Sequence, residues 1–296
     1  MDVNELEKLR KKAIKFSVIG AVMGFLVAAL IIFFTKNFNY SILSFFVIIL
    51  LTIFFNKPYE KFKSSFEEMF VVRALKDVFT DLEYVSGKGI DETVIENTNM
   101  IQLGDRYSSK NYIKGKYKDV YLEQADVHIE QSYQTKDDVH FVTLFKGRWI
   151  IFDFNKYFRA NMLVRQRNFR NSKGCSIFSN LHKVVTEDES FNNEFKVYAQ
   201  DDHEAFYILT PSLIEKIQNV ANGIDGSLIF CFVDNKLHIG INNSQDSFKH
   251  SIFRKVDIEK IKESISSDIK LITYFVDKLS LDNTLFKRRL EQWQRF

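Results

Sequence analysis

FSVIGAVMGFLVAALIIFF at residues 16–34 and FNYSILSFFVIILLTIFF at residues 38–55 are the two stretches that decide the class of this chain. Lys36 is the only charged side chain between Lys15 and Lys57. Nineteen residues reach about 28 Å as a helix, close to the roughly 30 Å hydrocarbon core of a bilayer. The second run is nearly as long, and neither holds a proline. Both therefore read as membrane spans. Only Thr35 to Asn39 connects them, so the spans are expected to turn back at once as a two-helix transmembrane hairpin. Gly20 and Gly24 give the first span a Gly-x-x-x-Gly spacing that lets two helices approach closely. Phe38 and Tyr40 suit the interface level where amphipathic rings collect.

Charge sets the orientation. Lys8, Arg10, Lys11, Lys12 and Lys15 precede the first run, Lys57, Lys61 and Lys63 follow the second, and the loop offers Lys36 alone. The positive-inside rule places both ends in the cytoplasm, which makes this a multi-pass protein of the inner (cytoplasmic) membrane. A cleaved signal peptide would need a shorter apolar region and a small-residue cleavage site, and neither is visible. A soluble helix pair would carry charges on one face, and these runs carry none.

The expected organisation is a basic cytoplasmic segment over 1–15, the hairpin over 16–56, a helical connector over 57–90 and a cytoplasmic α+β domain over 91–296. Composition agrees with a folded domain on a membrane anchor: 46% hydrophobic residues, 27% charged, and 30 Phe to fill a core. A net charge of +3 is too small to argue for nucleic acid. Two cysteines, Cys175 and Cys231, fit a reducing compartment.

Apolar residues at helical spacing predict a helix over Tyr59–Val85, stopped by Ser86-Gly87-Lys88-Gly89, with a short helical piece at Glu92–Asn97. From Asp105 the period changes to two. Strands are expected at Tyr117–Glu123, Val127–Gln134, Val139–Phe145 and Trp149–Phe154, with a further one within Arg159–Arg170 and short ones at Phe195–Ala199 and Ala205–Leu209. Thr210 and Pro211 read as N-cap and first turn of a helix to about Asn222. Leu228–Val233 and Lys236–Ile241 read as a hairpin around Asp234-Asn235, and Asp257 as the cap of a last long helix. Strands cluster first and no βαβ rhythm appears, so the sheet is expected to be mostly antiparallel.

Several of these stretches resemble the bacterial DUF3137 family. They are Gly115–Lys118, Phe145–Phe154, Val197–Asp201, Glu204–Pro211 and the hairpin Phe230–Ile239. The resemblance covers most of the chain after about residue 60. It implies a bacterial integral membrane protein of uncharacterised function with no agreed catalytic residues. It also implies a LemA-type membrane protein as a candidate partner.

The leading candidate site is a basic block. No acid lies between Asp153 and Glu187, whereas Lys156, Arg159, Arg165, Arg167, Arg170, Lys173 and Lys183 do, interleaved with Phe154, Tyr157, Phe158 and Phe169. Such a block gains roughly 1 kcal/mol per basic residue from an anionic leaflet. The same residues would hold nucleic-acid phosphates, but tethering to the bilayer favours lipid. The plainer reading, and the favoured one, is a solvated face neutralised by the acidic run Glu187 to Glu204. A second candidate is the C-terminal segment, where Arg288, Arg289 and Trp293 accompany Phe286, Leu290 and Phe296, a mixture suited to an interfacial helix. Terminal helices more often dock on their own domain.

The remaining motifs are weaker. Asp201-Asp202-His203-Glu204 alternates in direction if extended and reads as a polar turn rather than a metal site. Cys175 and His182 lack an orienting acid, and Cys231 lies in an apolar strand as a small core residue. Gly87-x-Gly89 is not a dinucleotide fingerprint, and no Gly-Lys-Ser/Thr, Gly-x-Ser-x-Gly or His-Glu-x-x-His occurs. The expected function is a membrane-anchored, non-enzymatic interaction module that presents its domain to a protein partner or anionic lipid headgroups, with no cofactor, metal or nucleic acid. The alternative is an enzyme acting on a lipid or small anionic substrate at the cytoplasmic surface.

Overall fold

The computed structural model describes residues 2–35, 46, 49, 55–99, 101–135, 138–153, 158–169, 180–249, 251–279 and 281. The chain divides into two units: residues 1–77 with 249–266, and residues 78–248 with 267–296.

The first unit is built on α1, Val3–Thr35. A reciprocal capping box starts it: the Glu5 N–H donates to Asp2 Oδ1 at 2.7 Å and the Asp2 N–H to Glu5 Oε2 at 3.1 Å. One buried stripe runs along this helix through Leu6, Arg10, Ala13, Gly20 and Gly24. At 100° per residue these positions share one face. Phe16, Ser17, Val27, Ala28 and Ile31 beside it are half-buried, and away from that face the described side chains of the apolar run lie bare, with Phe25 76% and Phe33 72% exposed. Among the described residues this is the helix long and apolar enough to cross a membrane. Most of the second run, and with it the expected loop at 35–39 apart from Thr35, lies outside the described residues.

Helix α2, Lys57–Phe66, begins with Pro58 in its first turn and passes through a π-helical stretch, Glu67–Val72, into α3, Arg73–Lys76. Phe62, Phe66 and Phe70 are buried and pack successively with tilted rings, their centroids 6.2 and 5.3 Å apart. The helix expected over Tyr59–Val85 therefore ends nine residues early, at Lys76. Thr80–Val85 is strand β1, held by pairing with β2, Arg106–Tyr117. Leu82 fits a helical spacing, but the β-prone Thr80, Tyr84 and Val85 find a strand partner here, and tertiary pairing overrides the local pattern.

The second unit is a sheet with every pair antiparallel, in the order β1-β2-β3-β4-β9-β8-β5-β7-β6. Its centre is β3, Val120–Gln134, and β4, Val139–Asp153, with β5 at Met162–Gln166, β6 at His182–Val184, β7 at Phe195–Ala199, β8 at Ser227–Val233 and β9 at Lys236–Asn242. The expected antiparallel sheet is present, with longer strands than expected. β2, Arg106–Tyr117, was not expected; the strand expected at Tyr117–Glu123 straddles the turn at Lys118-Asp119 and joins Val127–Gln134 in β3, and β4 runs unbroken through Lys146-Gly147-Arg148. Gly147 is not a turn: a Cβ there would strike the Ile241 carbonyl of β9, so glycine is what lets the two strands meet.

Helices flank the sheet. α4, Glu92–Glu96, contributes Ile95 to a core of Ala125, Val127, Phe145, Trp149, Ile151 and Cys231 on one face. α5 spans Glu189–Glu194 and α6 spans Asp202–Ile208. The latter replaces the strand expected at Ala205–Leu209, because Asp201 caps it by accepting from the Glu204 N–H at 2.9 Å. α7, Pro211–Asn222, is capped by Thr210 as expected. α8, Ile258–Leu279, starts at Asp257, which accepts from the Lys260 N–H. From Asp268 onward it lies on the face opposite Trp149, where Asp268 meets Arg148 of β4.

Candidate functional site

The basic block is not a continuous surface. Arg165 lies in β5, half-buried, and its Nη1 donates to the Phe169 carbonyl at 2.8 Å. Arg167 is exposed, and its Nε and Nη2 both donate to the Asn192 carbonyl. Arg159 is exposed, and its backbone N–H donates to Glu204 Oε1. Lys183 sits on the edge strand β6. Lys156, Arg170 and Lys173 lie outside the described residues, as do Arg288, Arg289 and Trp293. Within the described part, two of the arginines spend donors on backbone carbonyls.

Asp201-Asp202-His203-Glu204 diverges. Asp201 caps α6, Asp202 pairs with His182 at 2.6 Å and Glu204 accepts from Arg159. His182 therefore has an acid beside it, but Cys175 lies outside the described residues. Cys231 is completely buried, and burial pushes its thiol well above the ordinary range.

A lysine stripe on α1 forms the first cluster: charge counting used these residues for orientation and did not name them as a site. Lys8, Lys11, Lys12 and Lys15 are all exposed. At 100° per residue they fall within one 100° arc, on the side opposite the buried stripe of Leu6, Arg10 and Ala13. Arg10 faces inward, paired with Glu7 at 2.6 Å, and donates to the Ile252 carbonyl at 2.7 Å. The signal was present in the sequence as an i, i+3, i+4, i+7 pattern.

The second cluster is buried in the sheet unit. Asp126 of β3 and Arg148 of β4 are directly opposite each other, and each is 3% exposed. The Asp126 carboxylate accepts from Asn111 Nδ2 at 2.7 Å, the Ser247 N–H at 2.9 Å and Ser247 Oγ at 2.7 Å. Arg148 donates through Nη1 to the Asp268 carbonyl at 3.0 Å and through Nη2 to Asp268 Oδ1. Asp268 Oδ2 accepts from the Phe248 N–H at 2.8 Å. Burial raises the Asp126 carboxyl above its ordinary value, against the pull of Ser247, Asn111 and Arg148. Sequence reasoning missed this group because its members stand up to 157 residues apart, Asn111 to Asp268.

A search of curated proteins finds no match to this chain. Among solved structures, the crystal structure of the mycobacterial trehalose monomycolate transport factor A, TtfA, is similar over 68% of this chain and 88% of its own. The identity is 9% and the TM-score 0.37, a likeness too slight to place the two in one fold. The family model described as "Protein of unknown function (DUF3137)" matches residues 143–281, from within β4 to the end of α8. Four of the five resembling stretches lie inside that range and Gly115–Lys118 lies outside it, so the match is narrower than the resemblance suggested. That match supports the resemblance of this chain to the DUF3137 family over residues 143–281.

Proposed function

We propose that the protein is a membrane-anchored interaction module with a two-helix hairpin, both ends cytoplasmic, that presents its antiparallel α+β domain at the anionic leaflet to a membrane-protein partner. The observation that carries this is the surface of α1. Its described apolar side chains are exposed away from the face that contains Gly20 and Gly24, and exposed lysines gather where that run begins.

Support for the returning second helix comes from Phe55. Its ring lies 6.1 Å from that of Phe16, and a Cβ on Gly20 would come within 2.8 Å of Phe55 Cβ. The end of the second run thus packs on the first through the glycine spacing that permits close approach. A LemA-type membrane protein is the partner class we favour, since a tethered domain meets membrane partners at raised effective concentration.

The test is protease added to intact cells and again after permeabilisation, with the membrane fraction washed in alkaline carbonate. The domain should be cut only after permeabilisation and stay with the pellet. Digestion in intact cells refutes the orientation, and release by carbonate refutes the anchor.

A further inference from the structure

Residues 249–266 belong with α1 in the first unit. Near their start lies a tight turn: the Arg254 N–H donates to the Ser251 carbonyl at 3.2 Å, and the Phe253 N–H donates to Ser251 Oγ at 3.3 Å. Two bonds seat this turn on α1. The Arg10 guanidinium donates to the Ile252 carbonyl at 2.7 Å, and the Val256 N–H donates to Glu7 Oε2 at 3.4 Å. Arg10 and Glu7 are paired with each other at 2.6 Å, so one ion pair on α1 holds both ends of the segment. Ile252 and Val256, the residues held, are half-buried, whereas Phe253, Arg254 and Lys255 between them are exposed.

Phe253 is 76% exposed, as much as Phe25 within the apolar run. A lone exposed ring means little in itself. Its level along α1 is what gives it meaning. Arg10 precedes Phe16, where the apolar run begins, by six residues. That is about 9 Å along the helix axis, and headgroups add about 5–8 Å to each side of the hydrocarbon core. The turn therefore stands at the outer edge of the headgroup layer. Arg254 and Lys255 bring two cations to the same level, and among the described residues neither is engaged in an ion pair. An exposed aromatic ring beside basic side chains suits the boundary between headgroups and acyl chains, and arginine offers phosphate oxygens a planar fork of donors.

We propose that the turn at 251–255 is a phospholipid-contacting finger: Phe253 enters the headgroup layer beside α1, and Arg254 and Lys255 meet phosphate oxygens, which every phospholipid carries. The finger rests on the reading of α1 as a membrane span. It is seated on the Arg10 side of that helix, whereas Lys8, Lys11, Lys12 and Lys15 lie on the opposite side. Lipid contacts on two sides fix the tilt and rotation of a span, which its apolar length alone leaves open.

Photocrosslinking of the full-length chain in nanodiscs of mixed phosphatidylglycerol and phosphatidylcholine tests this. The photoreactive p-benzoylphenylalanine replaces Phe253, Phe25 and Asn4 in turn, and phospholipid adducts are read by mass spectrometry. The Phe253 and Phe25 sites should both give adducts. The Asn4 site, exposed on the same helix about 18 Å from Phe16, should give none. Arg10→Ala should lower the yield at the Phe253 site by about tenfold, the worth of one charged hydrogen bond, and leave the Phe25 site unchanged. Adducts at the Phe25 site with none at the Phe253 site would overturn the finger and leave the span standing. Absence of adducts at the Phe25 site would remove the span, and the finger with it. Equal yields at the Asn4 and Phe253 sites would make labelling independent of level along α1, and an undiminished yield in Arg10→Ala would mean that α1 does not seat the turn. Either result overturns the proposal.

Discussion

Acidification should destabilise the sheet unit through one imidazole. His238 of β9 is 4% exposed, faces Trp149 on the core side, and accepts from Trp149 Nε1 through Nδ1 at 3.2 Å. Burial, aided by the nearby Lys236 charge, lowers its pKa from 6.5 to about 4. An unfolded chain takes up this proton near pH 6.5, whereas the folded chain resists until about pH 4. Over that window the unfolded state holds more protons, so stability falls as pH falls. The contribution is fully present above pH 6.5, is reduced by about 2 kcal/mol at pH 5, and is reduced by about 3 kcal/mol below pH 4. Asp126 works in the opposite direction: its raised carboxyl favours the folded state as pH falls through the region above 3.8. The two are separated by difference. In a Trp293→Phe background, Trp149 becomes the sole tryptophan and reports urea unfolding of the full-length chain in nanodiscs. His238→Gln keeps an acceptor for Trp149 and removes the titration, and all other groups cancel between the two proteins. The stability difference should shift by about 2 kcal/mol between pH 7 and pH 5. A difference that stays flat over that range would mean that His238 is charged or hydrated in the folded chain, and the reasoning would fail.

Two further outcomes concern α1. Gly20→Leu places a side chain where Phe55 Cβ would be 2.8 Å from the new Cβ, and should lower the unfolding free energy of the first unit by about 1–3 kcal/mol, read by denaturant titration in detergent micelles. Phe25→Asp puts a carboxylate at an exposed point of the apolar run and should cost about 3 kcal/mol of insertion, visible as a carbonate-extractable fraction absent from the parent protein.

Which features could be read from the chain follows from how far apart their causes lie. The first span, the cap at Thr210, the 228–241 hairpin and the α8 start are dictated by residues within one or two turns, and each was legible. β1 was not, because what makes Thr80–Val85 a strand is β2, about thirty residues downstream. α6 was misread as a strand because its seven residues, rich in Phe, Tyr and Ile, suit either state, and the deciding contact is the Asp201 cap. Gly147 read as a break because glycine marks turns, whereas here it marks the close approach of β9. The buried network was beyond reach for the strongest form of the same reason. Asp126 and Arg148 look like ordinary surface charges until the register places them opposite each other and α8 covers them.

The distinction between the basic block and the α1 lysines can be argued to an experiment, because a cation attracts lipid only with the charge and donors it has not already committed. Arg165 and Arg167 direct their guanidinium donors at the Phe169 and Asn192 carbonyls. Lys8, Lys11, Lys12 and Lys15 are exposed on one face of a helix that continues into the apolar run. At roughly 1 kcal/mol per lysine near an anionic surface, four of them amount to about 4 kcal/mol before screening. Full-length chain in nanodiscs of mixed phosphatidylglycerol and phosphatidylcholine, released into native mass spectrometry, reads the lipids it retains. Reconstitution removes the complication that changing these lysines in cells would alter insertion topology. Replacing the four lysines with glutamine should abolish enrichment of phosphatidylglycerol, while Arg165→Gln with Arg167→Gln should leave it intact. Enrichment that survives the lysine changes and disappears with the arginine changes would move lipid contact back to the strand block, and the assignment of the membrane-facing surface to α1 would have to be abandoned.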